Sequence, residues 1–179
     1  KQQLENLGLK FTCAAPKVNE DKYKDSDIRA NKLVEKLSRE KASAVAKKNP
    51  DAIVIGGDQV VCLRGQILGK PGTKENAIAQ LLKMQGRRHQ LFTGLCVIYG
   101  GDEYLVVDKT VLHMNKMGRK KLERYVNFDN PLDCAGSYKL EKQGISLFSK
   151  IESEDFSAIQ GIPLMALCEI LTDIGHPIP

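Results

Sequence analysis

Apolar and polar positions change period several times along the chain, and each change marks an element. The run "LKFTCAA" at 9–15 predicts a strand, and the polar stretch from Pro16, rich in both signs of charge, predicts a loop. From Ser26, a candidate N-cap, an apolar stripe of Leu33, Val34, Leu37, Ala44 and Val45 predicts a helix to about Asn49, ended by Pro50. Apolar runs at 52–56 and 59–63 predict two strands, with "RGQILGKP" turning after them. Thr73 is placed to cap a helix through Met84 that Gly86 closes. Next, "HQLFTGLCVIY" and "EYLVVDKTVLHM" form a long hairpin joined by Gly100, Gly101 and Asp102. A helix over 118–126, an irregular "NPLDCAGSY", a strand "ISLFSKI" and an apolar helix "GIPLMALCEILTDIG" with Pro163 in its first turn complete the pattern. Helices and strands alternate early, but the hairpin breaks any repeated βαβ rhythm. The expected class is α/β with a mixed sheet, not a doubly wound parallel one.

Polar residues that interrupt apolar runs stand out, because burying them costs energy unless they are paired. Asp58 and Gln59 separate "AIVIGG" from "VV", and Lys41, four residues after Leu37, falls on the apolar stripe of its helix. Lys70 in "LGKPG", with Lys139 and Glu141 in "CAGSYKLE", complete the set. Singly, each has a plainer reading: Asp58 as a turn residue, Lys70 as part of a turn before Pro71, Lys41 as a snorkelling side chain. Together, one carboxylate and several lysines at strand ends and on a helix face suit a polyphosphate and its divalent metal. Lysines neutralise phosphate oxygens, and hard oxygen ligands hold Mg²⁺ or Mn²⁺. Gly56 and Gly57 let backbone or ligand approach the strand closely. Neither G-x-x-x-x-G-K-[ST] nor G-x-G-x-x-G is present, so a P-loop or Rossmann nucleotide site does not explain the set.

Composition narrows the classes. At 179 residues a single domain with a sizeable core is expected, and 42% hydrophobic with 27% charged residues is ordinary for a soluble protein. No run of 18 apolar residues predicts a membrane span, and "KQQLENLGLKF" lacks the apolar core of a signal peptide. The chain opens on Lys1 in what reads as the middle of an amphipathic helix, so more chain is expected upstream. Five scattered cysteines in apolar contexts fit reduced thiols in a cytoplasm. Three histidines, none at metal-ligand spacing, argue against zinc. A net charge of +5 suits a protein that handles anions. With 6% aromatics, no Trp and no basic stripe interleaved with Phe or Tyr, a nucleic-acid platform is not expected.

"FTCAAPKVNED", "LSREKA", "IGGDQVV", "LGKPGTKENA", "FTGLCV", "PLDCAGSYKLEKQGISLF" and "GIPLMALCEIL" occur in the order, and at about the spacing, found in the Maf family. The chain therefore resembles these nucleoside triphosphate pyrophosphatases, once called septum-formation inhibitors, over essentially its whole length. The resemblance implies an α/β fold related to inosine triphosphate pyrophosphatases, with a mixed twisted sheet flanked by helices and two lobes around a cleft. It implies hydrolysis of a nucleoside triphosphate to a monophosphate and pyrophosphate with a divalent cation. Asp58 matches the proton acceptor, Lys41 and Lys70 the lysines of the cleft, and Glu20 an early acidic position that would join Asp58 at the metal. Gln59 and Glu141 match positions that set base specificity, with Lys139 beside them. Gln after the Asp, and "CAGSYKLE" in the late loop, resemble the branch acting on 7-methyl-GTP more than the one acting on dTTP and UTP. The family begins with a strand and a Ser-x-Ser-Pro-x-Arg loop, which this sequence starts just beyond. Its members often dimerise, so a homodimer is the assembly the resemblance offers. Three alternatives stay open here: a dTTP/UTP pyrophosphatase, a nucleotide sensor without catalysis, and a cell-division interaction protein.

Overall fold

The computed structural model describes residues 1–23 and 27–178. Five helices, α1 (Gln2–Asn6), α2 (Ala30–Ala46), α3 (Lys74–Met84), α4 (Arg119–Asp129) and α5 (Leu164–Asp173), accompany one sheet. Its strands are β1 (Val54–Leu63), β2 (Gln66–Leu68), β3 (Arg88–Tyr99), β4 (Asp102–Met114) and β5 (Phe148–Glu152), in the order β2-β1-β3-β4-β5. The α/β class is the expected one, and the sheet is antiparallel. Among the described residues no helix is long and apolar enough to cross a membrane.

The chain forms two compact units. The first comprises Lys1–Asp58, Thr93–Asp108 and Asp155–Pro179. Here the strands are apolar on both faces, and their period of two sorts the side chains into two layers. Ile53, Ile55, Leu95, Val97, Tyr104 and Val106 pack with Leu167, Ile170 and Leu171 of α5. The alternate positions Val54, Cys96, Ile98 and Leu105 pack with Ala42, Val45 and Ala46 of α2. Burial pushes the Cys96 thiol up to about 11, so it stays protonated and inert. At the start of α5, Asp155 accepts from the backbone and hydroxyl of Ser157 and from the Met165 N–H, while Ser157 Oγ accepts from the Leu164 N–H. These buried bonds satisfy amide groups that a helix start leaves open.

The second unit comprises Gln59–Phe92 and Lys109–Glu154. Thr73 caps α3 as expected, its side chain accepting from the Asn76 N–H at 3.2 Å. Helix α3 packs on α4, and Leu81, Met84, Leu122, Val126 and Leu147 are all fully buried. Each such side chain contributes roughly 1.5–3 kcal/mol relative to exposure. His89, Tyr138 and Phe148 form a cluster of three rings in mutual contact, with His89 Nε2 hydrogen-bonded to Tyr138 Oη at 3.1 Å.

Several predicted boundaries move. Residues 9–15 form no strand: Leu9 and Phe11 pack on the α5 layer, but the run has no ladder partner among the described residues. Ser26 lies outside the described residues, and α2 ends at Ala46, before Pro50. Pro163 stands at the N-cap of α5, just before the first turn. The two strands expected at 52–56 and 59–63 are one continuous strand, because Gly56, Gly57, Asp58 and Gln59 keep extended backbone. The turn after it contains β2, which pairs antiparallel with the end of β1.

His89 is buried, and that burial, followed by the charge of His113, lowers its pKa from 6.5 to about 4. The unfolded chain therefore takes up this proton at higher pH than the folded one. The stability involved is complete above pH 6.5 and is lost as pH falls towards 4, by up to about 3 kcal/mol. Urea unfolding of His89→Gln at pH 7 and pH 4.5 should show a flatter acid dependence than wild type, and an equal slope would remove His89 as the cause.

Candidate active site

Helix α2 meets the sheet through two glycines. A Cβ on Gly56 would lie 2.7 Å from the Ser38 carbonyl oxygen and the Ala42 nitrogen, and one on Gly94 would lie 2.7 Å from the Val34 carbonyl oxygen. Val34, Ser38 and Ala42 follow one another at i, i+4 and i+8, so a single helix row rests on β1 and β3 at backbone distance. The predicted stripe contained Val34 but neither Ser38 nor Ala42, which are buried because they are small. This approach sets what the next residues of α2 can reach.

Arg39, Glu40 and Lys41 each tie α2 to a different segment. Arg39 Nε donates to Glu103 Oε1 of β4 at 2.7 Å. Glu40 Oε1 accepts from Lys22 Nζ at 2.7 Å and from the Tyr23 hydroxyl at 2.6 Å, anchoring the short 3₁₀ turn Glu20–Tyr23. Lys41 Nζ pairs with Asp58 Oδ1 at 2.5 Å and with Glu20 Oε1 at 2.9 Å. Three predicted residues thus come together: Lys41, Asp58 and Glu20. Glu40 was missed, though its signal was present as a charge beside Lys41 in "SREKAS".

Strand alternation explains the pairing. Gly56 faces α2, so Asp58, two residues on, shares that side and meets Lys41, while Gln59 turns to the other. The lysine side chain is 23% exposed and the aspartate 13%, so solvent screens this pair less than the exposed pairs on the same helix. Burial alone lowers the Lys41 pKa, but hydrogen bonds and charge from Asp58, then Glu20, more than offset it, and the net shift is upward. The ammonium is therefore fully charged at neutral pH. The trio is thus a lysine ammonium held by one oxygen from each of two carboxylates.

In the second unit the predicted residues are placed otherwise. Lys70 and Glu141 are exposed. Lys139 Nζ is held by Asp133 Oδ1 at 3.1 Å and the Asn130 carbonyl at 3.3 Å; burial lowers its pKa, but the Asp133 hydrogen bond and the charges of Cys134, Asp133 and Glu141 raise it, and the net shift is upward. Its backbone N–H donates to the Tyr125 hydroxyl at 2.9 Å. The loop carrying "CAGSYKLE" folds tightly: Gly136 has φ 72°, and the buried Ser137 Oγ donates to Gln80 Oε1 at 2.6 Å. Among the described residues no three of His, Cys, Asp and Glu converge as a ready-made metal cage.

The α/β chain thus holds a lysine ammonium between two carboxylates beside its sheet. Comparisons with known proteins name its family. Residues 1–174 match the family described as "Maf-like protein", and the chain belongs to it. It is 50% identical over 171 residues to a 7-methyl-GTP pyrophosphatase of Bdellovibrio bacteriovorus, covering 96% of this chain and 89% of that protein. It is also 41% identical to the protein of that name from Colwellia psychrerythraea, over 98% of this chain and 88% of the relative. With the one from Alcanivorax borkumensis the figure is 38%, over 100% of this chain and 91% of the relative.

The close approach of α2 is directly testable. Gly56→Ala forces a methyl against two backbone atoms that cannot swing aside, and should cost about 2–3 kcal/mol in urea unfolding. A loss below about 0.5 kcal/mol would mean that α2 shifts freely and that Lys41 is not held by this contact.

Proposed function

We propose that the chain is a nucleoside triphosphate pyrophosphatase that cleaves 7-methyl-GTP to 7-methyl-GMP and pyrophosphate. The observation that carries the reading is the near full-length identity, 38–50%, to three proteins named for that activity. The Lys41, Asp58 and Glu20 geometry supports the chemistry. In this reading Asp58 takes a proton from water as its oxygen bonds to the α-phosphorus. The bond from that phosphorus to the α,β-bridging oxygen breaks, and the electron pair leaves with pyrophosphate. An aspartate paired with an ammonium is a weak base. Phosphate oxygens compete with Asp58 and Glu20 for Lys41, and each hydrogen bond Lys41 gives to phosphate returns basicity to Asp58. Hydrolysis is thereby tied to occupancy by an anion that can hold Lys41. Lys70, exposed, and Lys139, once released from Asp133, are assigned to the remaining phosphate charge.

The donor set fits a hard divalent cation, Mg²⁺ or Mn²⁺. Glu20 and Asp58 already converge on a cationic nitrogen, and such ions commonly take one or two carboxylates and complete their shell with water and substrate phosphate. Bound there, the ion would neutralise phosphate charge. Glu141 is assigned to the base: methylation at N7 makes the guanine ring cationic, and a carboxylate attracts it or accepts from its N1 and N2 edge. Gln59, turned to the other side of β1 from Asp58, keeps the specificity role implied by the resemblance and has no part in proton transfer. The substrate, the cation and a homodimeric cytoplasmic enzyme stand together as one proposal.

Asp58→Asn keeps the shape and removes the base, so pyrophosphate release from 7-methyl-GTP should fall by roughly 10²-fold or more. Near-normal turnover would end the assignment of Asp58. Glu141→Gln should lower the ratio of kcat/KM for 7-methyl-GTP over UTP, and an unchanged ratio would make Glu141 structural. A wild-type enzyme that prefers UTP or dTTP would move the substrate to the other branch of the family.

A further inference from the structure

The loop 139–144 carries Lys139 and Glu141, and α4 holds it at both ends. The Lys139 N–H donates to Tyr125 Oη at 2.9 Å, and the Gly144 N–H donates to Asp129 Oδ2 at 3.1 Å. Tyr125 and Asp129 are four residues apart on α4, hence one turn apart on the same face. The loop also closes on itself. The Lys142 N–H donates to the Lys139 carbonyl at 3.1 Å, and a Cβ on Gly144 would lie 2.4 Å from that same oxygen.

The holding groups are buried. Asp129 is 4% exposed, its Oδ1 has no hydrogen-bond partner among the described residues, and the Tyr125 hydroxyl interacts with its carboxylate. A buried carboxylate with one oxygen unsatisfied opposes folding, and an apolar residue in that place would avoid the cost. What the carboxylate supplies is an acceptor for the far end of the loop. Tyr125 likewise presents its oxygen to the near end, and its own proton is then free to point at Asp129. The loop is therefore fixed at its two ends by backbone bonds to side chains of α4, alongside the bonds of the Lys139 side chain to Asp133 and Asn130 and the close fit of Gly144.

We propose that Tyr125 and Asp129 are positioning residues for base selection, holding the backbone of 139–144 so that Glu141 meets the purine in one orientation. This rests on Glu141 as the base-selecting residue. A loosened loop leaves Glu141 its charge but not its place, so discrimination falls while the chemical groups of the site stay present.

The test measures kcat/KM for 7-methyl-GTP and UTP in wild type, Asp129→Ala, Asp129→Asn and Tyr125→Phe, each alone and with Glu141→Gln, alongside amide hydrogen exchange at Lys139 and Gly144. Asp129→Ala should lower the preference for 7-methyl-GTP about tenfold, mostly through KM, the size expected for one buried hydrogen bond. Asp129→Asn keeps an acceptor and should retain most of the preference. In the Glu141→Gln background Asp129→Ala should lower the preference no further, and exchange at Gly144 should quicken. Tyr125→Phe should act in the same direction with faster exchange at Lys139, and it carries the test if Asp129→Ala does not fold. A discriminating wild type whose Tyr125→Phe and Asp129 variants discriminate equally overturns the clamp alone. Losses that add fully to that of Glu141→Gln overturn it too. A wild type with no preference overturns the role of Glu141 and this inference with it.

Discussion

The contact between α2 and two glycines is the constraint on which the first unit depends. Ordinary helices stand off a sheet by the length of their side chains, but here Val34, Ser38 and Ala42 put helix backbone against strand backbone at Gly56 and Gly94. At that distance a lysine need not extend far from the next position of the helix to reach a carboxylate on β1. The same closeness sets Arg39 against β4 and Glu40 against the 3₁₀ turn that brings Glu20. Exposed ion pairs of this kind contribute little each. Their value here is in orientation, since three successive side chains fix the roll of α2 about its axis.

The proposed function places opposite demands on Asp58 and on Glu141. In that proposal Asp58 has to be a base, yet it rests against an ammonium that weakens it; Glu141 has to be specific, yet it is exposed on a loop. The first demand is met by a partner that a phosphate can attract, the second by backbone bonds from a helix. One arrangement works by exchange of partners and the other by permanence. Both follow from where the charged group sits: on a strand interior for Asp58, on a turn for Glu141.

Much of this was legible in the sequence. Polar residues amid apolar runs pointed to Asp58 and Lys41, and the order of motifs added Glu20; all three meet. The hairpin at Gly100 and Gly101 and the cap at Thr73 followed from turn and capping chemistry. The strand expected at 9–15 failed because an apolar alternation shows which side chains are covered, not whether a neighbouring strand is there to bond. Asp58 and Gln59 read as one polar interruption between two strands because the glycines before them suggested a break. A strand without a break sends neighbours to opposite faces, which only the backbone reveals. Ser38, Ala42, Asp129 and Tyr125 escaped notice because small residues and a lone helix carboxylate carry no periodic signal of what they touch.

The trio at α2 has one more consequence, which concerns arrival. Glu20 and Asp58 are anionic and Lys41 is cationic, so the cluster as a whole is negative although the protein is positive at +5. On the proposed function, the net positive charge favours the approach of an anionic nucleotide, and the negative cluster opposes its last few ångströms. A triphosphate must therefore bring a cation with it or take Lys41 away from its carboxylates, whereas a weakly charged molecule has little means of doing either. On that reading, selectivity against sparsely charged metabolites is set by electrostatics at the threshold, before any shape is read.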